Sequence, residues 1–318
     1  MLGDPPPLPF DPGVLRLSTD LRRIGIDPTR GEWHHVRHGV WVEVPVWSGL
    51  TPEQRHAALV HATDLVCRHP GRYVFVLESA AAVWGLPRVE PWPAHVTVLA
   101  TGRRTRGSRL LRVHVGAPVQ PVPTRGILVS GVARTVVDLA RTGSLASGLC
   151  AADHALRHSL CTPAELAAAA AEVPPRVRGR PAALLVAELA DARSMSPGES
   201  LSRAAMFRLN LPRPDLQVDV EDAGGLVGTT DFGWPGVVGE FDGRSKYGIP
   251  EGADPAEVAE VLWREKRRED RLRRVVRVAR WTWADAVGDA SMAGLLAEQG
   301  IRSQPRNTWF DLEAARAG

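Results

Sequence analysis

The sequence predicts an α/β fold in which an α+β N-terminal region precedes a C-terminal domain of element order αβββαβ. Two observations predict this class. In the first half, short apolar runs with many β-branched residues alternate with stretches of helical periodicity. In the second half, helical stretches are followed by three strand-like runs, a long charged helix over 257–273 and a closing strand over 275–283.

The composition limits the classes of protein that the chain can belong to. Its 318 residues are 44% hydrophobic, which suits two folded domains and excludes wholesale disorder. The net charge is only +3, so any contact with nucleic acid must depend on local basic patches. No apolar run is long enough to span a membrane, three cysteines form no disulfide framework, and residues 1–10 do not resemble a signal peptide. We therefore expect a cytoplasmic protein without a membrane partner.

The first segment, 1–46, is expected to be a degenerate winged-helix-like unit. Its run 33–42 combines aromatic and β-branched residues around Gly39, which predicts a small hairpin. A short amphipathic stretch with basic residues precedes this hairpin. The hairpin histidines are expected at the surface; they are His34, His35 and His38.

An α+β domain is predicted over 47–172. Its first helix is expected to begin at Thr51-Pro52-Glu53, because proline is favoured at the first helical position. Between 91 and 137 there is no acidic residue, although seven arginines lie there. Such a stretch suits either contact with nucleic acid or a plain exposed loop. The candidate contacts in it are Arg103, Arg104 and Arg106.

Proline, glycine and arginine are concentrated over 173–181, which predicts a linker. The second domain is accordingly expected over 182–290. The remaining residues, 291–318, are expected to form a C-terminal tail.

The strongest chemical signal is a group of carboxylates around the turn dipeptide Pro235-Gly236. If these two residues form the turn between two strands, Asp231 lies opposite Glu240. Asp242 then shares a face with Glu240, and three like charges on one patch repel each other. Solvation, a shared proton or a divalent cation such as Mg²⁺ would relieve this repulsion. Lys246 lies just beyond the strand, where it could stabilise negative charge on a phosphate.

Two further features have both a structural and a functional interpretation. Ser196 and Glu199 have the spacing of a capping box at a helix start, and Glu199 could also be a carboxylate directed at a sheet edge. The later helix pairs Glu265 and Glu269 with arginines, as an ordinary salt-bridged surface helix does. Beside a metal-binding sheet, the same helix could contact phosphates.

The order of these residues resembles the Vsr-like branch of the PD-(D/E)XK nuclease superfamily. The resemblance covers about 194–285, and the residues that carry it are Glu199, Asp231, Glu240-Phe241-Asp242-Gly243-Arg244-Ser245-Lys246-Tyr247, Glu265-Lys266-Arg267-Arg268-Glu269-Asp270 and Trp281-Thr282-Trp283. Such domains have the restriction-endonuclease-like αβββαβ fold, hold a divalent metal and hydrolyse nucleic-acid phosphodiesters. The resemblance therefore implies a DNA endonuclease that uses Mg²⁺ or Mn²⁺.

The resemblance also assigns roles to particular residues. Asp231 and Glu240 would bind the metal. Asp242 stands where the family has a lysine, two residues after Glu240, so the catalytic lysine would be Lys246 or Lys266, or would be absent. The implied catalytic set is Glu199, Asp231, Glu240, Asp242, Lys246 and Lys266. The implied DNA contacts of this domain are Arg244, Arg267 and Arg271.

The first half is similar to AbiEi-type antitoxins of type IV toxin–antitoxin systems. The residues that carry the similarity are Val76-Leu77-Glu78-Ser79-Ala80-Ala81-Ala82-Val83-Trp84-Gly85-Leu86-Pro87 and Val132-Ala133-Arg134-Thr135-Val136-Val137-Asp138-Leu139-Ala140-Arg141. This similarity implies binding of operator DNA and a cognate toxin as partner. Two functions therefore stay open, a metal-dependent endonuclease and a non-catalytic DNA-binding regulator. A nuclease-like fold does not by itself guarantee the chemistry.

Overall fold

The computed structural model describes residues 10–67, 73–99, 107–243 and 255–311. It has the predicted α/β class, with helices packed around several sheets. The chain divides into two compact units, Met1–Ala190 and Asp191–Gly318. Within the described ranges, no helix is long and apolar enough to cross a bilayer.

The first unit begins with a small antiparallel sheet. Its elements are β1 (Arg16–Leu17), α1 (Ser18–Arg23), β2 (Trp33–Arg37), β3 (Val40–Glu43) and α2 (Val44–Gly49). The strand order is β1-β3-β2, and β2 and β3 form the predicted hairpin. Gly39 makes the tight turn between them with φ +81°, a left-handed conformation that glycine adopts without steric cost.

A mixed five-stranded sheet follows, in the order β6-β5-β4-β8-β7. Its elements, with the helices that precede it and cross it, are α3 (Pro52–Leu65), β4 (Val74–Phe75), α4 (Leu77–Trp84), β5 (Val96–Leu99), β6 (Leu111–His114), β7 (Pro121–Thr124) and β8 (Ile127–Ser130). As predicted, α3 begins after Thr51, whose side chain forms a capping box with Gln54. The sequence did not predict β7, which contains two prolines and lies at the sheet edge, where proline is tolerated.

Four helices complete the first unit. They are α5 (Val132–Thr142), α6 (Leu145–Arg157), α7 (Pro163–Ala171) and α8 (Arg180–Leu189). The helices pack closely, because a Cβ built on Gly148 of α6 would lie 2.9 Å from both Ala140 of α5 and Val186 of α8. The sequence-based start of the second domain, at 182, lies before the division in the structure. Residues 182–189 belong to α8 of the first unit, and the chain divides after Ala190.

The second unit has the predicted order αβββαβ and ends in two short helices. Its elements are α9 (Pro197–Arg208), β9 (Asp215–Asp222), β10 (Gly225–Trp234), β11 (Val237–Asp242), α10 (Pro255–Val275), β12 (Arg277–Thr282), α11 (Trp283–Val287) and α12 (Asp289–Glu298). The sheet order is β12-β11-β10-β9, with β11 and β12 parallel and the other neighbours antiparallel.

The two faces of this sheet are covered by different helices. On one face, the buried Trp281 donates a hydrogen bond from Nε1 to Ser202 Oγ of α9 at 2.7 Å. On the other face, Leu272 of α10 packs with Val238 of β11 in one apolar cluster. Because strand side chains alternate, Glu240 lies on the α10 face, two residues after Val238.

Candidate functional site

Asp231 and Glu240 lie on adjacent strands in the predicted arrangement. The hairpin of β10 and β11 pairs Phe232 with Gly239 and Trp234 with Val237. Continuing this register by one residue places Asp231 opposite Glu240, on the face covered by α10. The two-residue turn at Pro235-Gly236 therefore set the register as expected.

Two arginines bind the carboxylate of Glu240. Arg268 Nη2, from α10, is 2.6 Å from Oε1, and Arg280 Nη2, from the neighbouring strand β12, is 2.6 Å from Oε2. Glu265 is 2.9 Å from Arg268 Nη1 and 3.6 Å from Arg280, while Glu269 is 3.9 Å from Arg280. The charges form one network, and the expected repulsion at Glu240 is offset by guanidinium groups.

The pKa of Arg268 reflects this network. Burial by itself lowers the pKa of its guanidinium, but the charges and hydrogen bonds of Glu240 and Glu265 more than compensate and raise it above the ordinary value. Arg268 consequently remains a cation under all ordinary conditions, so Glu240 keeps its compensating charge.

The other two strand carboxylates have separate surroundings. Asp231 Oδ2 accepts a hydrogen bond from the backbone N–H of Phe241 at 2.7 Å, which ties the ends of β10 and β11 together. Asp242 is half-buried and ends β11 on the same face as Glu240.

Glu199 is occupied as a cap of α9. Its Oε1 accepts from Ser196 Oγ at 2.9 Å, and its Oε2 accepts from the Met195 N–H at 2.8 Å and from Gln217 Nε2 at 3.0 Å. In turn, Glu199 donates its N–H to Ser196 Oγ at 3.2 Å. Because α9 covers the opposite sheet face from Glu240, the structure favours the capping interpretation over membership in the implied catalytic set.

The predicted cations fall into different environments. Lys266 is exposed on α10, about 120° around the helix from the sheet-facing Leu272. The role of Lys266 as a substitute for the missing catalytic lysine stays a prediction. Five further predicted residues lie outside the described residues, namely Arg103, Arg104, Arg106, Arg244 and Lys246.

Arg271 is bound within the protein. Its Nε and Nη2 lie 2.7 Å and 2.6 Å from the two oxygens of Asp222, in the forked geometry that suits a carboxylate. The hydrogen bonds from Arg271 and from the Gly224 N–H lower the pKa of Asp222 to about 2. The Arg271 guanidinium thus holds the β9–β10 hairpin, and its contact with DNA stays a prediction.

Arg267 remains an exposed candidate for contact with nucleic acid. Its guanidinium lies 5.8 Å from the ring centre of Trp263, and the Lys266 ammonium lies 5.6 Å from the same ring. The Trp263 side chain is itself 57% exposed. We call these three residues the Trp263 patch; it is an exposed aromatic ring with two cations on the outer face of α10.

Comparison with known proteins identifies relatives of this chain. The chain is 35% identical over 194 residues to two proteins from two strains of Mycobacterium tuberculosis, named Uncharacterized protein Rv2248 and Uncharacterized protein MT2308. The matched region covers 60% of this chain and 70% of each relative. The chain belongs to the Rv2248 family. No family model matches it.

For this member of the Rv2248 family, sequence reasoning missed the two arginines that decide the environment of Glu240. The position of Arg280 beside Glu240 follows from the strand register, because the two residues are paired across β11 and β12. Arg268 lies four residues before Leu272, and helical spacing places both on the sheet-facing side of α10. Both positions could have been predicted from the sequence only with the knowledge that β12 pairs in parallel with β11.

Proposed function

We propose that this protein is a cytoplasmic DNA-binding regulator whose Asp191–Gly318 unit uses a nuclease-like fold as a binding module without hydrolysing DNA. The observation that carries this proposal is the pair of contacts from Arg268 and Arg280 to the two oxygens of Glu240. The resemblance of the first unit to AbiEi-type antitoxins supports the regulatory role. It also implies a cognate toxin as partner.

The residues as arranged do not fit a divalent cation. Mg²⁺ needs carboxylate oxygens that are open toward it, with water or phosphate in its remaining positions. Both oxygens of Glu240 already contact guanidinium groups, whose positive charge also repels a metal ion at short range. Asp242 replaces the expected lysine and adds no positive charge for a developing phosphorane. In the described part of the chain, no group of three or more metal-binding side chains is brought together.

The Trp263 patch supports binding of nucleic acid. Lys266 and Arg267 are exposed and can pair with phosphates, and an exposed indole offers a surface on which a base can stack. The nearby Arg264 contributes less, because it is 3.2 Å from Glu260 on the same helix. A chain with a net charge of only +3 needs such a local patch to attract DNA.

One observation favours the second candidate, a Mg²⁺- or Mn²⁺-dependent DNA endonuclease. Asp231 and Glu240 lie on paired strands in facing positions, and Asp242 shares their face of the sheet. This is the arrangement of carboxylates that the nuclease resemblance implies. The endonuclease would require Arg268 and Arg280 to leave Glu240 when DNA and metal bind.

A cleavage assay combined with a gel-shift assay separates the two candidates. The regulator predicts that wild-type protein leaves plasmid DNA intact with Mg²⁺ or Mn²⁺ but shifts a DNA duplex on a gel. Replacing Lys266→Gln and Arg267→Gln together should weaken this binding and lower its salt dependence by about two charges. The matched control is Arg208→Gln, an exposed arginine of α9 away from the patch, which should bind DNA like the wild type.

Metal-dependent cleavage would overturn the proposal if it were lost in both Asp231→Asn and Glu240→Gln while both variants stayed folded. Unchanged DNA binding by the Lys266→Gln, Arg267→Gln variant would show that the Trp263 patch does not bind DNA. Co-purification of the protein with the product of a neighbouring toxin-like gene would test the implied partner.

A further inference from the structure

The first unit contains a cavity of about 610 Å³ that the sequence did not reveal. Three segments that are distant in sequence line it: the β2 strand, the α2–α3 region and the loop 88–93. Its volume falls in the range of small-molecule sites. Most of its charged and aromatic side chains form two sets, each of which contains one tryptophan, one histidine and one arginine.

The first set is built around Trp47. The His34 ring stacks on this indole with ring centres 4.0 Å apart and planes 12° from parallel. The Arg55 guanidinium lies 5.5 Å from the centre of the same ring. Arg55 is exposed and donates to Ser48 O at 3.4 Å, a long hydrogen bond that an incoming ligand could displace.

The second set is built around Trp92. The His56 ring lies 5.2 Å from this indole at an angle of 30°, and the Arg88 guanidinium is 5.5 Å from its centre. The Arg88 side chain is only 10% exposed. Its Nη1 donates to Pro91 O at 2.8 Å, but no acceptor in the described part of the chain meets its buried Nε. Its Nη2 lies 3.5 Å from Glu90 Oε2, so the charge of Arg88 is balanced within the wall of the cavity.

The imidazoles of the two sets are held neutral. Burial lowers the pKa of His56 to about 4, and burial also lowers the pKa of His34. His56 Nδ1 lies 3.1 Å from Pro93 O and must donate to it, so Nε2 accepts from Ser79 Oγ at 3.3 Å. The half-buried His34 imidazole therefore offers an aromatic surface, whereas the buried His56 ring packs against Trp92. The positive charge available to a ligand comes from the exposed Arg55.

Two carboxylates balance these arginines. Glu53 and Glu90 also line the cavity. Glu90 is directed toward α6, where it accepts from the Ser144 N–H at 3.1 Å and from the Ser147 hydroxyl. With two guanidiniums and two carboxylates, the lining does not favour a ligand with several negative charges. It suits a planar ring with hydrogen-bonding edges and at most a single phosphate.

We infer that this cavity binds a nucleobase that carries one phosphate, with Trp47, Trp92 and the His34 imidazole contacting the ring and Arg55 contacting the phosphate. Aromatic and guanidinium surfaces stack on bases with little dependence on sequence. A free nucleoside monophosphate and an unpaired nucleotide of a strand present the same chemistry. The inference concerns the first unit and does not rest on DNA binding by the Trp263 patch.

Titration of the full chain with AMP, GMP, CMP and UMP, followed by calorimetry and tryptophan fluorescence, tests the inference. We expect saturable binding of at least one of them, with adenosine or another matching nucleoside binding more weakly and inorganic phosphate not competing at equal concentration. Arg55→Gln should weaken binding about five- to tenfold, as expected for one lost guanidinium contact. Trp47→Ala should weaken it further. Because Arg55 is exposed, the Arg55→Gln variant tests the site even if Trp47→Ala fails to fold.

Arg30→Gln is the matched control, since Arg30 is 84% exposed and does not line the cavity. The Lys266→Gln, Arg267→Gln variant should also bind the nucleotide like the wild type, which separates this test from that of the proposed function. A single-stranded oligothymidylate that binds more tightly than TMP would identify a strand as the source of the base, and the reverse order would identify a free nucleotide. The inference is overturned if none of the four nucleotides binds, if phosphate alone binds equally well, or if Arg55→Gln binds like the wild type.

Discussion

At the scale of single residues, the charge of Glu240 can be offset either by a metal ion or by guanidinium groups, and the two have different consequences. A metal can be removed by a chelator, whereas arginine stays protonated at every ordinary pH. With Arg268 and Arg280 each 2.6 Å from one oxygen, compensation is built into the chain. The Glu240 side chain is only 13% exposed, so solvent screens these contacts little.

Replacing Glu240→Gln should destabilise the second unit, because it leaves two largely buried guanidiniums without their shared carboxylate. The expected loss is on the order of 2 kcal/mol, below the full cost of breaking a completely buried pair because both arginines are partly exposed. Urea unfolding at neutral pH measures this loss. The control Glu260→Gln removes an exposed ion pair with Arg264 and should change the midpoint little. Equal effects of the two variants, or a wild-type midpoint that falls on adding EDTA, would contradict this account of Glu240.

At the scale of elements, β11 contacts both α9 and α10, because its residues alternate between the two sheet faces. Glu240 faces α10, whereas Gly239 and Phe241 face α9. A Cβ on Gly239 would lie 2.5 Å from Cη2 of Trp281. The indole cannot easily move away, because it is fully buried and bound to Ser202. Glycine at this position therefore lets α9 and the sheet approach closely.

Gly239→Ala should consequently destabilise the protein by about 1–3 kcal/mol, the usual cost of overpacking a core. Urea unfolding followed by tryptophan fluorescence measures this loss. Gly294→Ala is the control, since Gly294 lies in α12 with no heavy atom within 4 Å of the added Cβ. It should be neutral or slightly stabilising, because alanine favours a helix over glycine. A Gly239→Ala variant as stable as Gly294→Ala would mean that the indole can shift.

At the scale of the whole molecule, the features set by local sequence patterns were predicted, whereas those that depend on contacts between distant elements were missed. The facing positions of Asp231 and Glu240 followed from the short turn between their strands, because strand alternation is a local property. The arginines at Glu240 come from two elements that meet only in the folded unit, so the carboxylates alone suggested a metal. The boundary differs for a similar reason: the proline-rich stretch resembles a linker, whereas the packing of α8 extends the first unit to Ala190. The cavity was missed because its lining comes from separate segments.

The whole first unit should be sensitive to acid because three histidines in it are held neutral. Burial is the main cause that lowers the pKa of His56, His61 and His154 to about 4 from an ordinary value of 6.5. For such groups the unfolded chain binds more protons than the folded chain between these two pH values. Their contribution to stability is fully present above pH 6.5 and is lost as the pH falls toward 4.

Each of these histidines can contribute on the order of 3 kcal/mol, so three together are comparable with the total stability of a domain. We expect the urea midpoint of the first unit to fall steeply between pH 6.5 and 4. His61→Leu removes one buried titrating group beside Phe10 and should make this slope shallower. His38→Gln, at an exposed hairpin position, should keep the wild-type slope. A midpoint that is flat across this window would contradict neutral burial of the three rings. A loss confined to lower pH would instead point to carboxylates of the first unit such as Glu90, whose pKa burial alone would raise but the hydrogen bonds from Ser144 and Ser147 hold below its ordinary value.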